Sequence, residues 1–400
     1  MDSCPAERMP VLLFGAFDRH NFGDMLFAHV AQALLPGISL RHAGLADRDL
    51  RAQGGHRVHA LSRLAAGERD ALLIHVGGEI LSCDAWRAAV MLLPDPGFQS
   101  VVARLDSSPD EKLRWAKSFL GSSALAPYSA SRLKYPCLAR VVYAGVGGVE
   151  LGRCPAQLRR EVLADLEAAQ AIGVRDSLTR AQLEAAGLSA RLIPDPVVMI
   201  DELFGARIRA RSSRPALAAI LKNFPEGYLA VQCSADFGDD RTLQAIATGL
   251  RRVAARTGLG VVLFRAGAAP WHDDLAVLGR LAGRMPGGGA LFESLNIWDI
   301  CALIAASRGY CGSSLHGRIL ASAFALPRLS LLHPASGARP GKLAAYLATW
   351  EIPGLPTTVT PEHLEPGLSA ALEADPLRLA ARATELAGLY RTGFAGLVAL

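Results

Sequence analysis

The chain has seven cysteines but no C-x-x-C pair. Cys4, Cys83, Cys137, Cys154, Cys233, Cys301 and Cys311 are odd in number and scattered, so neither a disulfide framework nor a structural zinc site is expected. They read as reduced, mostly buried thiols. No apolar run approaches the ~20 residues that span a bilayer; Val11–Phe14 and Val261–Phe264 are of strand length. The opening residues MDSCPAERMP have no apolar signal core, so a cytoplasmic protein is expected. No Lys/Arg block accompanies the net charge of +5, which argues against a nucleic-acid partner or a polybasic membrane patch. His42, His56 and His59 are spread along a polar loop, and no His/Asp/Glu set has the spacing of a metal site. A dinucleotide fingerprint is also missing, because no Gly-x-Gly-x-x-Gly with a following acid sits on the first strand.

What is present is a globular composition, 51% apolar and 20% charged, in 400 residues, more than one ordinary core holds. A short β-rich run followed by glycine and a helical pattern recurs at Val11–Gly15, Ala71–Gly77, Val141–Gly145 and Ala171–Val174, and more faintly at Ala190–Ile193. Continuous apolar strands suit parallel sheets buried on both faces, and their alternation with helices suits a doubly wound fold. A second series follows the charged stretch Arg207–Arg214: Tyr228–Gln232, Gly260–Phe264, Arg308–Cys311 and Arg328–Leu332, with helical patterns at Asp240–Thr257 and Leu295–Ser307. The expectation is an α/β protein of two lobes, 9–205 and 215–345, joined near 203–216. A helical segment, 346–400, packs back on them by analogy with two-lobed folds. The halves show no sequence repeat. Pro94–Pro136 breaks the pattern and reads either as a helical excursion at the cleft mouth or as a structural insertion.

The richest local signal is Tyr310–Pro327, YCGSSLHGRILASAFALP. A strand ends at Gly312, Ser313 or Ser314 caps the next helix, and Ile319, Leu320 and Ala323 fall at core spacing. The helix start presents backbone N–H groups, two hydroxyls, the His316 imidazole and the Arg318 guanidinium, a set suited to an anion such as phosphate. From spacing alone the plainer alternative stays open: His316 packed at a helix start and Arg318 in solvent. Arg265 also follows a strand, as a site residue or as a surface arginine paired with an acid. Asn21 and Asp24 either orient hydroxyls of a ligand, or Asp24 caps a helix beginning near Met25. Gly77 and Gly78 permit close backbone approach to a ligand. Glu79 is a candidate base or a helix cap, and Asp195, between two prolines, a loop-fixing residue.

Ser313–Phe324 resembles the signature near the end of polysaccharide pyruvyl transferases. Gly15–Asp24 resembles the opening loop of that family, His75–Leu81 its second glycine loop, and Gly173–Thr179 with Leu192–Pro196 its central Arg-Asp and Pro-Asp-Pro elements. The collinear resemblance covers roughly residues 10–335. It implies two Rossmann-like lobes of the glycosyltransferase-B type, with the active site in the cleft between them. It also implies transfer of a pyruvyl group from phosphoenolpyruvate to a sugar hydroxyl pair as a ketal, without a cofactor. The catalytic histidine falls on His316, with Asp24 and Glu79 as further catalytic candidates. Donor contacts fall to Arg175, Arg265, Ser313, Ser314 and Arg318; acceptor contacts fall to Asn21, Gly77 and Gly78. An arginine often found two residues before the histidine is Ser314 here, which leaves Arg318 as the candidate replacement. The implied acceptor is a glycan or lipid-linked saccharide, the latter bringing peripheral membrane association. Two other readings stand beside it: a nucleotide-sugar-dependent glycosyltransferase, and a catalytically inactive binding protein of a glycan pathway.

Overall fold

The computed structural model describes residues 9–94, 97–287, 289–336 and 341–399; Cys4 and the rest of the opening octapeptide lie outside them. The first lobe is built on β1 (Val11–Phe14), β2 (Leu40–Gly44), β3 (Arg48–Asp49), β4 (Arg57–Ala60), β5 (Ala71–His75), β6 (Leu138–Val146), β7 (Ala171–Val174) and β8 (Arg191–Leu192). They form one sheet in the order β3-β4-β2-β1-β5-β6-β7-β8, parallel except for the β3–β4 pair. Every residue of β1 and β5 is buried, as expected for apolar strands covered by helices on both faces.

The second lobe holds β9 (Tyr228–Gln232), β10 (Gly260–Phe264), β11 (Gly289–Phe292), β12 (Gly309–Gly312), β13 (Arg328–Leu331) and β14 (Thr358–Val359). Their order is β11-β10-β9-β12-β13-β14, with parallel pairing throughout. Val11–Phe14 and Val261–Phe264 therefore lie in different sheets. β14 extends this sheet and the helix Leu364–Leu372 packs beside it, so the second lobe continues past the expected boundary at 345. The helix Pro376–Leu397 returns to the first lobe, where Gly393 faces Ile193, Leu397 faces Gly173, and Arg140 Nη2 donates to the Ala399 carbonyl at 3.0 Å.

The stretch expected as a linker is folded: helix Ile200–Arg209, a 3₁₀ turn Ala210–Ser213 and helix Pro215–Asn223. Two of its arginines reach the second lobe. Arg211 Nε donates to Asp299 at 2.6 Å, and the Arg207 guanidinium lies 4.1 Å from the Trp298 ring centroid. Its apolar residues Ile208, Leu217 and Ile220 join a core that runs from Phe22 and Phe27 of the first lobe to Trp298 and Ile319 of the second. The histidines read as a polar loop also pack here. His42 and His56 stack at 3.8 Å, and His29 lies 4.0 Å from His56 and 4.8 Å from Trp298.

Main-chain hydrogen bonds stitch the lobes at one edge. Phe22 N donates to Ala266 O at 2.9 Å, and Ala268 N and Ala269 N both donate to His20 O, at 3.1 and 3.2 Å. The excursion after Pro94 forms helices Gly97–Leu105 and Pro109–Leu120, then a coil whose Ala126, Tyr128 and Ala130 are fully buried. Among the described residues no helix is long and apolar enough to cross a membrane.

Candidate active site

In each sheet the winding direction reverses once, between β1 and β5 in the first lobe and between β9 and β12 in the second. Loops leaving the C-terminal ends of such strand pairs diverge and open a crevice. The loops after β1, β5 and β9, and the helix that follows β12, line one cavity of about 580 Å³. Asn21, Asp24, Glu79, Arg175 and His316 reach it, together with Arg19, Arg87, Tyr128, Asp236, His272 and Lys342.

His316 occupies the first turn of the helix Leu315–Ala323 and is 7% exposed. The Ser314 hydroxyl caps that helix by accepting from Gly317 N at 3.2 Å. The turn itself is held by Gln232, whose Oε1 accepts from Ser314 N at 2.8 Å and whose Nε2 donates to Asp273 at 2.7 Å. Burial pushes the Asp273 carboxyl up to about 7, although the Ala266 and Gln232 hydrogen bonds oppose the shift. The imidazole crosses to the first lobe and lies against Gly23, where a Cβ would stand 2.0 Å from its Cγ. Phe27 meets the ring edge-on at 5.2 Å. The Nε2 atom is 3.7 Å from Asp195 Oδ2, too long for a hydrogen bond, and has no other partner among the described residues.

Asp195 does fix its loop, since Oδ1 accepts from Val197 N at 3.0 Å, but its other oxygen faces His316 and Arg175. Burial alone would raise its pKa; His316, Arg175 and the Val197 amide outweigh burial and hold it below the usual carboxylate value. Arg175 is 2% exposed and clamped between two acids, with Nη1 to Asp195 at 2.8 Å and Nη2 to Glu79 at 2.9 Å. A chain of ionisable side chains thus runs His316–Asp195–Arg175–Glu79 beside the cavity.

Several assignments change with the geometry. Glu79 is a brace rather than a free base: Oε1 accepts from Val149 N at 2.7 Å while Oε2 holds Arg175. Asp24 does not cap its helix. The helix starts at Phe22, Asn21 caps it by accepting from Gly23 N, and Asp24 projects from the first turn into the cavity. Gly77 and Gly78 stay outside the lining. They take φ of 123° and 93°, which side-chain-bearing residues rarely adopt, and Gly78 O accepts from Gly147 N at 2.8 Å. Ser313 accepts from Ser234 N at 3.0 Å and Ser314 is spent as the cap, so neither hydroxyl lines the cavity. Arg318 points away, one side of a buried knot in which Glu351 accepts from Arg318 Nη2 and Arg328 Nη2, each at 2.6 Å. Arg265 stands near His20 and Asp273, off the cavity.

Sequence reasoning missed Arg19, Tyr128, His272 and Lys342. Arg19 lies within the Gly15–Asp24 loop, so a signal exists. Tyr128 comes from the irregular excursion, and its hydroxyl donates to the buried Asp18 at 2.7 Å while accepting from Arg19 Nη1 at 2.7 Å. His272 is pushed down to about 3, first by burial and then by Arg19, Lys342, His316 and His20. Lys342 lines the cavity from an exposed position. Among the described residues no group of His, Cys, Asp and Glu is arranged to hold a metal ion.

Two doubly wound lobes with a cavity at their facing switch points define a glycosyltransferase-B-like fold. Solved structures share it: UDP-N-acetylglucosamine 2-epimerase from Rickettsia bellii, at 10% identity, covers 98% of this chain and 96% of its own, with a TM-score of 0.55. S. aureus MnaA with UDP is 12% identical over 97% and 93%, TM-score 0.53. Neisseria meningitidis UDP-GlcNAc 2-epimerase bound to UDP-GlcNAc is 11% identical over 98% and 100%, TM-score 0.52. At such identities the likeness is one of fold. No curated protein sequence matches the chain. The sequence profile of polysaccharide pyruvyl transferases matches residues 21–333, from the Asn21 cap through the His316 helix. The chain belongs to the polysaccharide pyruvyl transferase family.

Proposed function

We propose that the chain transfers the pyruvyl group of phosphoenolpyruvate to a pair of hydroxyls on a glycan or lipid-linked saccharide, forming a ketal and releasing phosphate. The observation that carries this reading is His316, an imidazole with an unpartnered Nε2 on the wall of an interlobe cavity, backed by an ionised Asp195. In this reading His316 protonates the methylene carbon of phosphoenolpyruvate, leaving an oxocarbenium-like centre at C2. One acceptor hydroxyl adds there with loss of its proton to Asp24. The second hydroxyl then displaces phosphate. Of the two hydroxyl protons, one in net ends on the new methyl group and the other leaves with phosphate as hydrogen phosphate. Asp195 orients the imidazole and compensates its charge. Arg175, held by Glu79, fixes Asp195 in turn. Asn21, beside Asp24, is suited to holding an acceptor hydroxyl.

Thermal protection by phosphoenolpyruvate, set beside UDP and GDP, tests the donor. Phosphate release with a new ketal methyl resonance on a saccharide pool tests the transfer. His316→Gln is expected to lower kcat by ~10²–10⁴-fold with a normal melting temperature and nearly unchanged donor affinity. Protection by UDP or GDP but not phosphoenolpyruvate would favour a glycosyltransferase. Protection by none of the three would favour an inactive binding protein.

A further inference from the structure

Of the cations first assigned to the donor, Arg265 stands off the cavity and the other two are engaged. Arg175 is clamped by Asp195 and Glu79, Arg318 by Glu351, and position 314 carries a capping serine. A polyanionic donor in this cavity needs other partners. Besides Arg87, which is paired with Asp84 and Glu150, two basic side chains line it with unused donors. Arg19, in the loop after β1, has a side chain only 9% exposed. Its Nη1 donates to Tyr128, its Nη2 stands 3.8 Å from Asp24, and its Nε is buried with no hydrogen-bond partner among the described residues. Lys342 opens the helix Lys342–Trp350 of the second lobe, lines the same cavity, and makes no hydrogen bond or ion pair with a described residue. His272 lies within electrostatic reach of both, and its Nε2 is 3.5 Å from Asn21 Nδ2.

We propose that Arg19 and Lys342, one from each lobe, form a phosphate subsite in the cleft. The name of its ligand rests on the pyruvyl-transfer reading; the subsite itself requires only a tetrahedral oxyanion. The donor geometry separates phosphate from carboxylate. A planar carboxylate is matched by a free guanidinium fork, and one prong of the Arg19 fork, Nη1, is already given to Tyr128. What remains is Nη2, which makes no hydrogen bond to Asp24 at 3.8 Å, and the rotatable N–H groups of an ammonium, which suit oxygens arranged in three dimensions. Asp24 and Glu79 face the same cavity and weaken its field. Glu79 is turned to Arg175, which it shares with Asp195, and the 3.8 Å Asp24–Arg19 contact is too long to occupy the guanidinium.

Calorimetric titration with inorganic phosphate, phosphoenolpyruvate and pyruvate, on wild type, Arg19→Gln and Lys342→Met, tests this. Each variant is expected to bind phosphate and phosphoenolpyruvate about 10- to 100-fold more weakly, the range for losing one charge-assisted hydrogen bond, with pyruvate unaffected. In wild type, phosphate should also raise the His272 pKa, read by NMR, by offsetting the positive charge around it. Arg19→Gln also loses its Tyr128 contact; Lys342→Met breaks no described hydrogen bond and keeps the test clean. Normal phosphate and phosphoenolpyruvate binding in folded variants overturns the subsite and leaves pyruvyl transfer standing. Phosphate binding that depends on both residues, with no affinity of wild type for phosphoenolpyruvate, keeps the subsite and overturns the donor. No phosphate binding by wild type overturns the subsite.

Discussion

Gly23 shows how tightly one position controls this cleft. It sits inside a helix, where glycine costs about 1 kcal/mol relative to alanine, so its presence needs a reason. The reason is His316, whose ring occupies the space a Cβ would take. Gly23→Ala should strengthen the helix locally but push the imidazole away from Asp195. The expected result is a melting temperature near wild type or lower, with kcat reduced as far as in His316→Gln. Wild-type kcat in Gly23→Ala would show that the His316 position does not matter to turnover. Much of this was legible: Asn21, Asp24, Arg175 and His316 were picked from motifs and do meet at one cavity. What could not be read was engagement. Nothing in the sequence tells that Arg175 is shared by two carboxylates or that Arg318 faces Glu351, because both partnerships join residues far apart in the chain.

At the scale of elements, the knot of Arg318, Arg328 and Glu351 ties the His316 helix to β13 and to the residue that ends the helix Lys342–Trp350. Burial alone would raise the Glu351 pKa, but the two guanidiniums pull it down to about 2. Glu351→Gln would leave two buried arginines without a counter-charge and should cost about 3–5 kcal/mol, measured by denaturant unfolding. A loss below about 1 kcal/mol would mean that water reaches the arginines. Strands carrying continuous apolar runs were found from sequence nearly to the residue, as was the helix Asp240–Thr257. β2, β3, β4, β11 and β14 were not. They are short or half-exposed strands toward the sheet edges, where one-sided cover removes the apolar run that marks a buried strand.

At the scale of the molecule, the two lobes share a core, and the stacked histidines sit against it. Burial holds His29 and His42 at about 4 and His56 at about 2. Arg207 adds repulsion on His29, His59 on His42, and the stacked rings on one another. Their folded pKa values lie below the unfolded value near 6.5. The stability they contribute is therefore complete above about pH 6.5 and lost as pH falls toward 4. Unfolding followed across this window should show stability falling with acid, and a His42→Phe, His56→Phe double variant should flatten the slope. An unchanged slope would assign the acid sensitivity elsewhere.

The seam between His20–Phe22 and Ala266–Ala269 is made of amides and carbonyls, so ordinary side-chain substitution leaves it in place. It pins one edge of the cleft. A pinned edge turns any parting of the lobes into the swing of a door: displacement is small at the hinge line and grows with distance from it. Arg19 and Asn21 adjoin the hinge line and barely move in such a swing, while groups carried on the far rim travel furthest. His316 comes from the second lobe and Asp195 from the first, so the distance between them, 3.7 Å here, would register any such swing.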